Sequence, residues 1–99
     1  MIQFEWDPQK ARSNQRKHGV SFGDAIRVFD DPHALFYPNF IDETGEQRWQ
    51  AIGSTGAIAV LLVVHTVRDE GELIRLISAR PATREERKRY EKTRTNDCG

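Results

Sequence analysis

Cysteine is almost missing from this sequence. Cys98 is the only one among 99 residues, so no internal disulfide can form, and a reducing, cytoplasmic setting is expected. Cys/His spacing of the kind that holds zinc is missing too, and neither metal nor cofactor is expected. Net charge is also lacking, because Lys+Arg 15 and Asp+Glu 15 cancel. Apolar runs are short. The longest, Ala57 to Val64, cannot span a bilayer, and no signal peptide opens the chain, so no membrane association is expected. With 37% hydrophobic and 30% charged residues, the chain can build one modest core. It reads as a single domain over 1–92 and a disordered C-terminal tail over 93–99, with no repeat.

The zero net charge hides an uneven spread. Lys10, Arg12, Arg16 and Lys17 form a basic stretch without an acid, and Arg80 to Arg94 is a second basic stretch. Asp24 to Glu46 is acidic, with only Arg27 against six carboxylates. Two solvated helix faces would account for the basic stretches. A phosphate-facing surface formed by both together is the sharper reading.

The chain is organised around a hairpin from Ala57 to Arg80. Its first arm is apolar and rich in β-branched residues, its turn is Asp69-Glu70-Gly71-Glu72, and its second arm alternates. A buried helix would also fit the first arm alone. Upstream, Ile2 to Trp6 reads as a short strand. Asp7-Pro8 starts a helix that Gly19 stops near His18. Ser21 caps a second helix whose stripe of Phe22, Ala25, Ile26 and Phe29 faces a core, and Asp31-Pro32 ends it. Ala34 to Tyr37 is a short strand before an acidic loop over 39–46, and Gln47 to Gly53 is the next strand. Thr83 and Glu86 make a capping box for a last helix reaching about Lys92, with Tyr90 its only large apolar residue. That helix should be loosely docked. The order β-α-α-β-β-β-β-α predicts an α+β fold, an antiparallel sheet with helices packed on one face.

Guessing register from the turns sorts the sheet's side chains. Placing Gly53 opposite Ile58 and Leu61 opposite Arg80 gives an apolar face of Trp49, Ala51, Val60, Leu62, Val64, Ile77 and Ala79. The other face then carries Arg48, Gln50, His65, Ser78 and Arg80 among Ile52, Leu61, Val63, Ile74 and Leu76. Arginine offers phosphate a planar, permanently charged fork, and His65 titrates near neutrality. RNA cleavage by the ribose 2′-hydroxyl needs a group to take the 2′ proton, cations on the phosphate and an acid for the leaving oxygen, with no metal required. A satisfied, partly buried histidine is the bland reading of His65, and salt bridges are the bland reading of Arg48 and Arg80.

Several stretches together resemble one family. They are Phe4-Glu5-Trp6-Asp7-Pro8, Lys10, Asn14, Lys17-His18-Gly19-Val20-Ser21-Phe22, Ala25, Val28-Phe29 and Asp31-Pro32. Gly45-Glu46 with Arg48, Ile52-Gly53, Val63-Val64 with Thr66 and Arg68, Ile74-Arg75, Ile77-Ser78-Ala79-Arg80 and Glu86-Arg87 with Tyr90 follow. Their order and spacing are similar to the BrnT toxins of BrnT/BrnA type II toxin–antitoxin modules, from about Phe4 to Tyr90. The resemblance implies a RelE-like fold and a ribonuclease that arrests translation. It also implies a cognate BrnA antitoxin with a ribbon-helix-helix domain, in a hetero-oligomer that binds operator DNA.

On this reading Arg48, His65 and Arg80 are the candidate catalytic groups, with His18 an alternative for proton transfer. Lys10, Arg12, Arg16, Lys17, His18, Arg68, Arg84, Arg87 and Tyr90 are candidate RNA contacts. Arg68 and Arg80 stand at opposite ends of the second arm, about 20 Å apart at the usual strand rise, with Arg48 the closer partner of Arg80. Two rival classes remain. One is a non-catalytic interaction protein. The other is a DNA-binding regulator with a helix-turn-helix over residues 8–30, whose second helix offers only Arg27 to phosphates.

Overall fold

The central hairpin forms as its alternation requires, and the rest of the chain is laid around it. A computed structural model describes residues 2–56 and 59–97. Strands β1 (Gln3–Glu5), β2 (Leu35–Ile41), β3 (Gln47–Ser54), β4 (Val60–Arg68) and β5 (Leu73–Pro81) make one sheet in the order β1-β5-β4-β3-β2. The last four form the antiparallel meander their short connections demand. Strand β1 adds to the β5 edge in parallel, so the sheet is mixed.

Helix α1 (Pro8–His18) starts and stops where its caps place it. Asp7 accepts from the Gln9 N–H at 2.9 Å, and Gly19, at φ 70°, sends its N–H to the Gln15 carbonyl. Arg16, Lys17 and His18 fill its last turn, where cations suit the helix dipole. Ser21 caps α2 (Phe22–Ala25), which tightens into a 3₁₀ turn over Ile26–Asp30. α2 is too short, and Phe22, Ala25 and Val28 too buried, to lie in a DNA groove. Helix α3 (Arg84–Asp97) opens with the Thr83/Glu86 capping box and continues past the expected end at Lys92. Of the expected tail, residues 98–99 lie outside the described residues.

Strand β2 also runs on, through Pro38 to Ile41, with an irregular register beyond Pro38. Proline is tolerated there because β2 is an edge strand.

The register differs from the turn-based guess. The β3–β4 connection closes late, through the Thr55 N–H to the Ala59 carbonyl, and Gly53 faces Leu61. Ala57 and Ile58, the expected start of the arm, lie outside the described residues. A shift by an odd number of residues exchanges a strand's faces. A bulge adds to this, since Val64 faces Ser78 while His65 faces Leu76, leaving Ile77 as the extra residue. Leu61, Val63, Ile74 and Leu76 therefore join Ala51 and Ala79 under α1 and α2, with Val20, Phe22, Ala25 and Val28. Each large apolar side chain buried there contributes about 2–3 kcal/mol. Gly53 is part of this packing, because a Cβ there would lie 2.9 Å from a Val28 methyl.

The helices do not share one face. Tyr90 of α3 packs on Ile52 and Leu62, on the side of the sheet opposite α1 and α2. Consequently the basic stretches of α1 and α3 lie on opposite faces and do not make one surface.

Asn14 ties α1 to the sheet. β5 is paired with β1 only through Leu73–Arg75, so its outer edge is open beyond. Asn14 fills that edge as a short strand would. Its Oδ1 accepts from the Ala79 N–H at 3.0 Å, and its Nδ2 donates to the Ala79 carbonyl at 2.8 Å and the Val20 carbonyl at 3.0 Å.

Candidate RNA-binding face

Strand alternation gathers polar groups on the α3 side of the sheet. Directly opposed residues share a face, and one cross-sheet row reads Tyr37, Gln50, Val64, Ser78. The neighbouring row reads Leu35, Ile52, Leu62, Arg80. Arg89 reaches from α3 over the Tyr37 ring, 5.6 Å from its centre. Thr66 lies on the same face opposite Arg75, 1% exposed, and its hydroxyl has no hydrogen-bond partner among the described residues.

Arg80 is held in a particular way. Its Nη1 donates to Glu86 Oε1 at 2.8 Å and its Nη2 to Oε2 at 3.0 Å, while Nη1 also reaches the Pro81 carbonyl at 3.2 Å. Glu86 meets the guanidinium end-on. The side fork of Nε–H and the second Nη2–H is left without a partner among the described residues. Glu86 is 9% exposed and also accepts from the Thr83 N–H. The Arg80 bonds come first among the influences on Glu86. They outweigh burial and, with the Thr83 bonds, hold its carboxyl at about 2. Arg80 in turn is held above its ordinary value by the same pair.

Arg48 shares this face but is not beside Arg80. Arg80 stands level with Ile52, two strands away and four residues along from Arg48, roughly 16 Å between backbones. Arg48 instead bonds Asp42 at 3.3 Å and lies over the Phe40 ring. Arg68 makes a side-on fork to Glu46 at 2.9 and 3.0 Å. The Thr44 hydroxyl, the Glu46 N–H and Arg48 together set the Asp42 carboxyl at about 2. Arg48 and Arg68 thus belong to one ion-paired cluster at the far end of the sheet.

His65 does not reach this face. The register turns it to the other side, where it is 2% exposed, edge-on to Phe29 with ring centres 4.8 Å apart and near Phe36. Burial pushes its pKa below 6.5, against the opposing effect of the Val63 carbonyl. The grouping of His65 with Arg48 and Arg80 is corrected by this geometry. Lys10, Arg12, Arg16, Lys17 and His18 are exposed on α1, across the sheet, while Arg84 and Arg87 are exposed on α3.

Tyr90 is buried rather than offered to a ligand. It is 2% exposed, and its hydroxyl donates to Asp31. Asp31 also accepts from the Ser54 N–H at 2.8 Å and the His33 N–H at 2.9 Å. Burial raises its pKa, but these bonds and His33 bring the net value below 3.8. Asp31, His33, Arg27 and Tyr90 line a cleft of about 530 Å³ at the sheet's end. Sequence reasoning had no role for this cleft or for Tyr37, and took Arg89 only as one cation of the second basic stretch. The helical spacing of Glu86, Arg89 and Tyr90 was the available signal for Arg89. Among the described residues, no group of three or more His, Cys, Asp or Glu side chains is placed to hold a metal ion.

The profile of the ribonuclease toxin BrnT, of type II toxin–antitoxin systems, matches residues 6–86. This chain belongs to the BrnT family. Members of that family are ribonuclease toxins paired with an antitoxin, which makes RNA the target. The fold agrees. A 1.1 Å crystal structure of the Brucella abortus ribonuclease toxin BrnT is similar with a TM-score of 0.66 and 26% identity, covering 85% of this chain and 100% of that one. No curated protein sequence matches the chain. Among the described residues, no helix is long and apolar enough to cross a membrane.

Proposed function

We propose that this BrnT-family chain is a cytoplasmic endoribonuclease that arrests translation, cleaving RNA by attack of a ribose 2′-hydroxyl on the adjacent phosphate without a metal ion. The observation that carries this is the open side fork of Arg80, presented on the polar sheet face while Glu86 fixes its other end. A guanidinium fork matches two phosphate oxygens. Its charge is worth most on the phosphorane, where negative charge accumulates. The O2′–P bond forms as the P–O5′ bond breaks, leaving a 2′,3′-cyclic phosphate and a 5′-hydroxyl. The 2′ proton leaves to solvent water, and water supplies the proton that turns the departing O5′ into the 5′-hydroxyl. Arg89 adds a second cation, and Arg48, Arg75 and Arg68 extend the track.

The proposed partner is a BrnA-type ribbon-helix-helix antitoxin. The hetero-oligomer, rather than the toxin alone, would bind operator DNA, because α2 cannot serve as a recognition helix. The test is cleavage of RNA by the purified chain in EDTA, with end-group analysis. Cyclic phosphate ends formed in EDTA, and lost in Arg80→Ala, are the expected result. Products with 5′-phosphates, or activity abolished by EDTA, overturn the mechanism.

A further inference from the structure

We infer that the row Tyr37, Gln50, Val64, Ser78 is a nucleobase-recognition subsite that selects the RNA base beside the Arg80 phosphate site. The inference rests on the ribonuclease reading and adds base selection to it. The row lies on one sheet face, one step from the Arg80 row. It spans three strand gaps, about 14 Å from Tyr37 to Ser78. A base over Tyr37 and Gln50 would place its ribose over Val64 and the following phosphate toward Arg80.

Each end of the row has the chemistry for this. Tyr37 is a half-buried aromatic already covered by a guanidinium, that of Arg89 at 5.6 Å. Arg89 is exposed and can lift to let a base enter between the two planes, a stacked arrangement that single-stranded RNA favours. The Gln50 amide and the Ser78 hydroxyl, both half-buried, make no hydrogen bond within the described protein. Neither side chain is committed to the fold, so both can turn their donors and acceptors to a ligand. A carboxamide presents a donor and an acceptor side by side, which is what reading a base edge requires. The neighbouring cluster of Arg48 and Arg68 offers no such row, because its groups are already paired with Asp42 and Glu46.

Base choice can be read separately from cleavage. Fluorescence anisotropy with short 2′-deoxy oligonucleotides, which lack the attacking hydroxyl, measures binding alone. Four probes differing at one central base are compared for wild type, Gln50→Ala, Gln50→Glu and Tyr37→Leu, with circular dichroism confirming the fold. The expected result is a preference of about tenfold for one base in wild type, the scale of one base-edge contact. Gln50→Ala should bring the four affinities together, and Tyr37→Leu should weaken all four. A wild-type protein that binds all four equally, or a folded Gln50→Ala that keeps the preference, overturns the subsite. Base-selective binding without cleavage of the matching RNA leaves the subsite standing and overturns the catalytic reading instead.

Discussion

Arg80 and Glu86 are the residues on which the proposed chemistry turns, and their roles separate experimentally. Arg80→Ala removes the phosphate fork and should lower the cleavage rate about 10²–10³-fold in a folded protein, measured on a short RNA. Glu86→Gln keeps an acceptor for the Thr83 N–H but loses the charge that fixes Arg80. Because the folded carboxyl sits at about 2 against an ordinary 4.5, the unfolded chain takes up the proton first. The stabilisation is full above pH 4.5 and is lost as the pH falls towards 2. Thermal melts across that window should show a shallower slope in Glu86→Gln than in wild type. His65 acts in a different range. Its ring is kept neutral by burial, so the unfolded chain protonates first as the pH drops below 6.5, and stability falls. Melts of His65→Leu between pH 7 and 5 should flatten that dependence.

Beside the apolar core, α1 and α3 are each held to the sheet by a polar clip. Asn14 is the clip for α1. Asn14→Ala leaves the Ala79 N–H and carbonyl unpaired in a buried place, and should cost about 2–4 kcal/mol in chemical denaturation. A change confined to a surface helix face would cost far less. Tyr90 is a clip for α3, whose contacts also include the Glu86 fork and the Arg89 stack. Tyr90→Phe keeps the ring among Ile52 and Leu62 but drops the bond to Asp31, costing about 1–2 kcal/mol. Hydrogen exchange should then rise in α3 and leave the β4–β5 amides unchanged. Equal exchange across the whole chain would mean that α3 does not open separately.

At the scale of the whole molecule, the sheet is a partition. The α1 cations lie on one side, and Arg80, Arg89 and Gln50 on the other. Reversing charge at Lys10, Arg12 and Arg16 should leave cleavage of a short oligonucleotide within about twofold and reduce the salt sensitivity of binding to long RNA. A large loss on the short substrate would show that α1 contributes to the active face after all.

Local chemistry determined the elements. Asp7-Pro8, Ser21, Gly19 and the Thr83/Glu86 box mark helix ends with groups that satisfy free N–H and carbonyl groups nearby, and they act wherever the sequence sets them. The meander followed from short connections in the same way, and the spaced motifs pointed to the family. Sidedness was not local. The late closure of the β3–β4 turn and the bulge at Ile77 each shift pairing by an odd number of residues, and one residue is enough to turn a side chain through the sheet. Tertiary structure alone therefore put His65 into the core and parted Arg48 from Arg80. It also sent α3 to the opposite face and lined up Tyr37, Gln50 and Ser78, because a strand's two faces differ only by which partner its neighbour supplies.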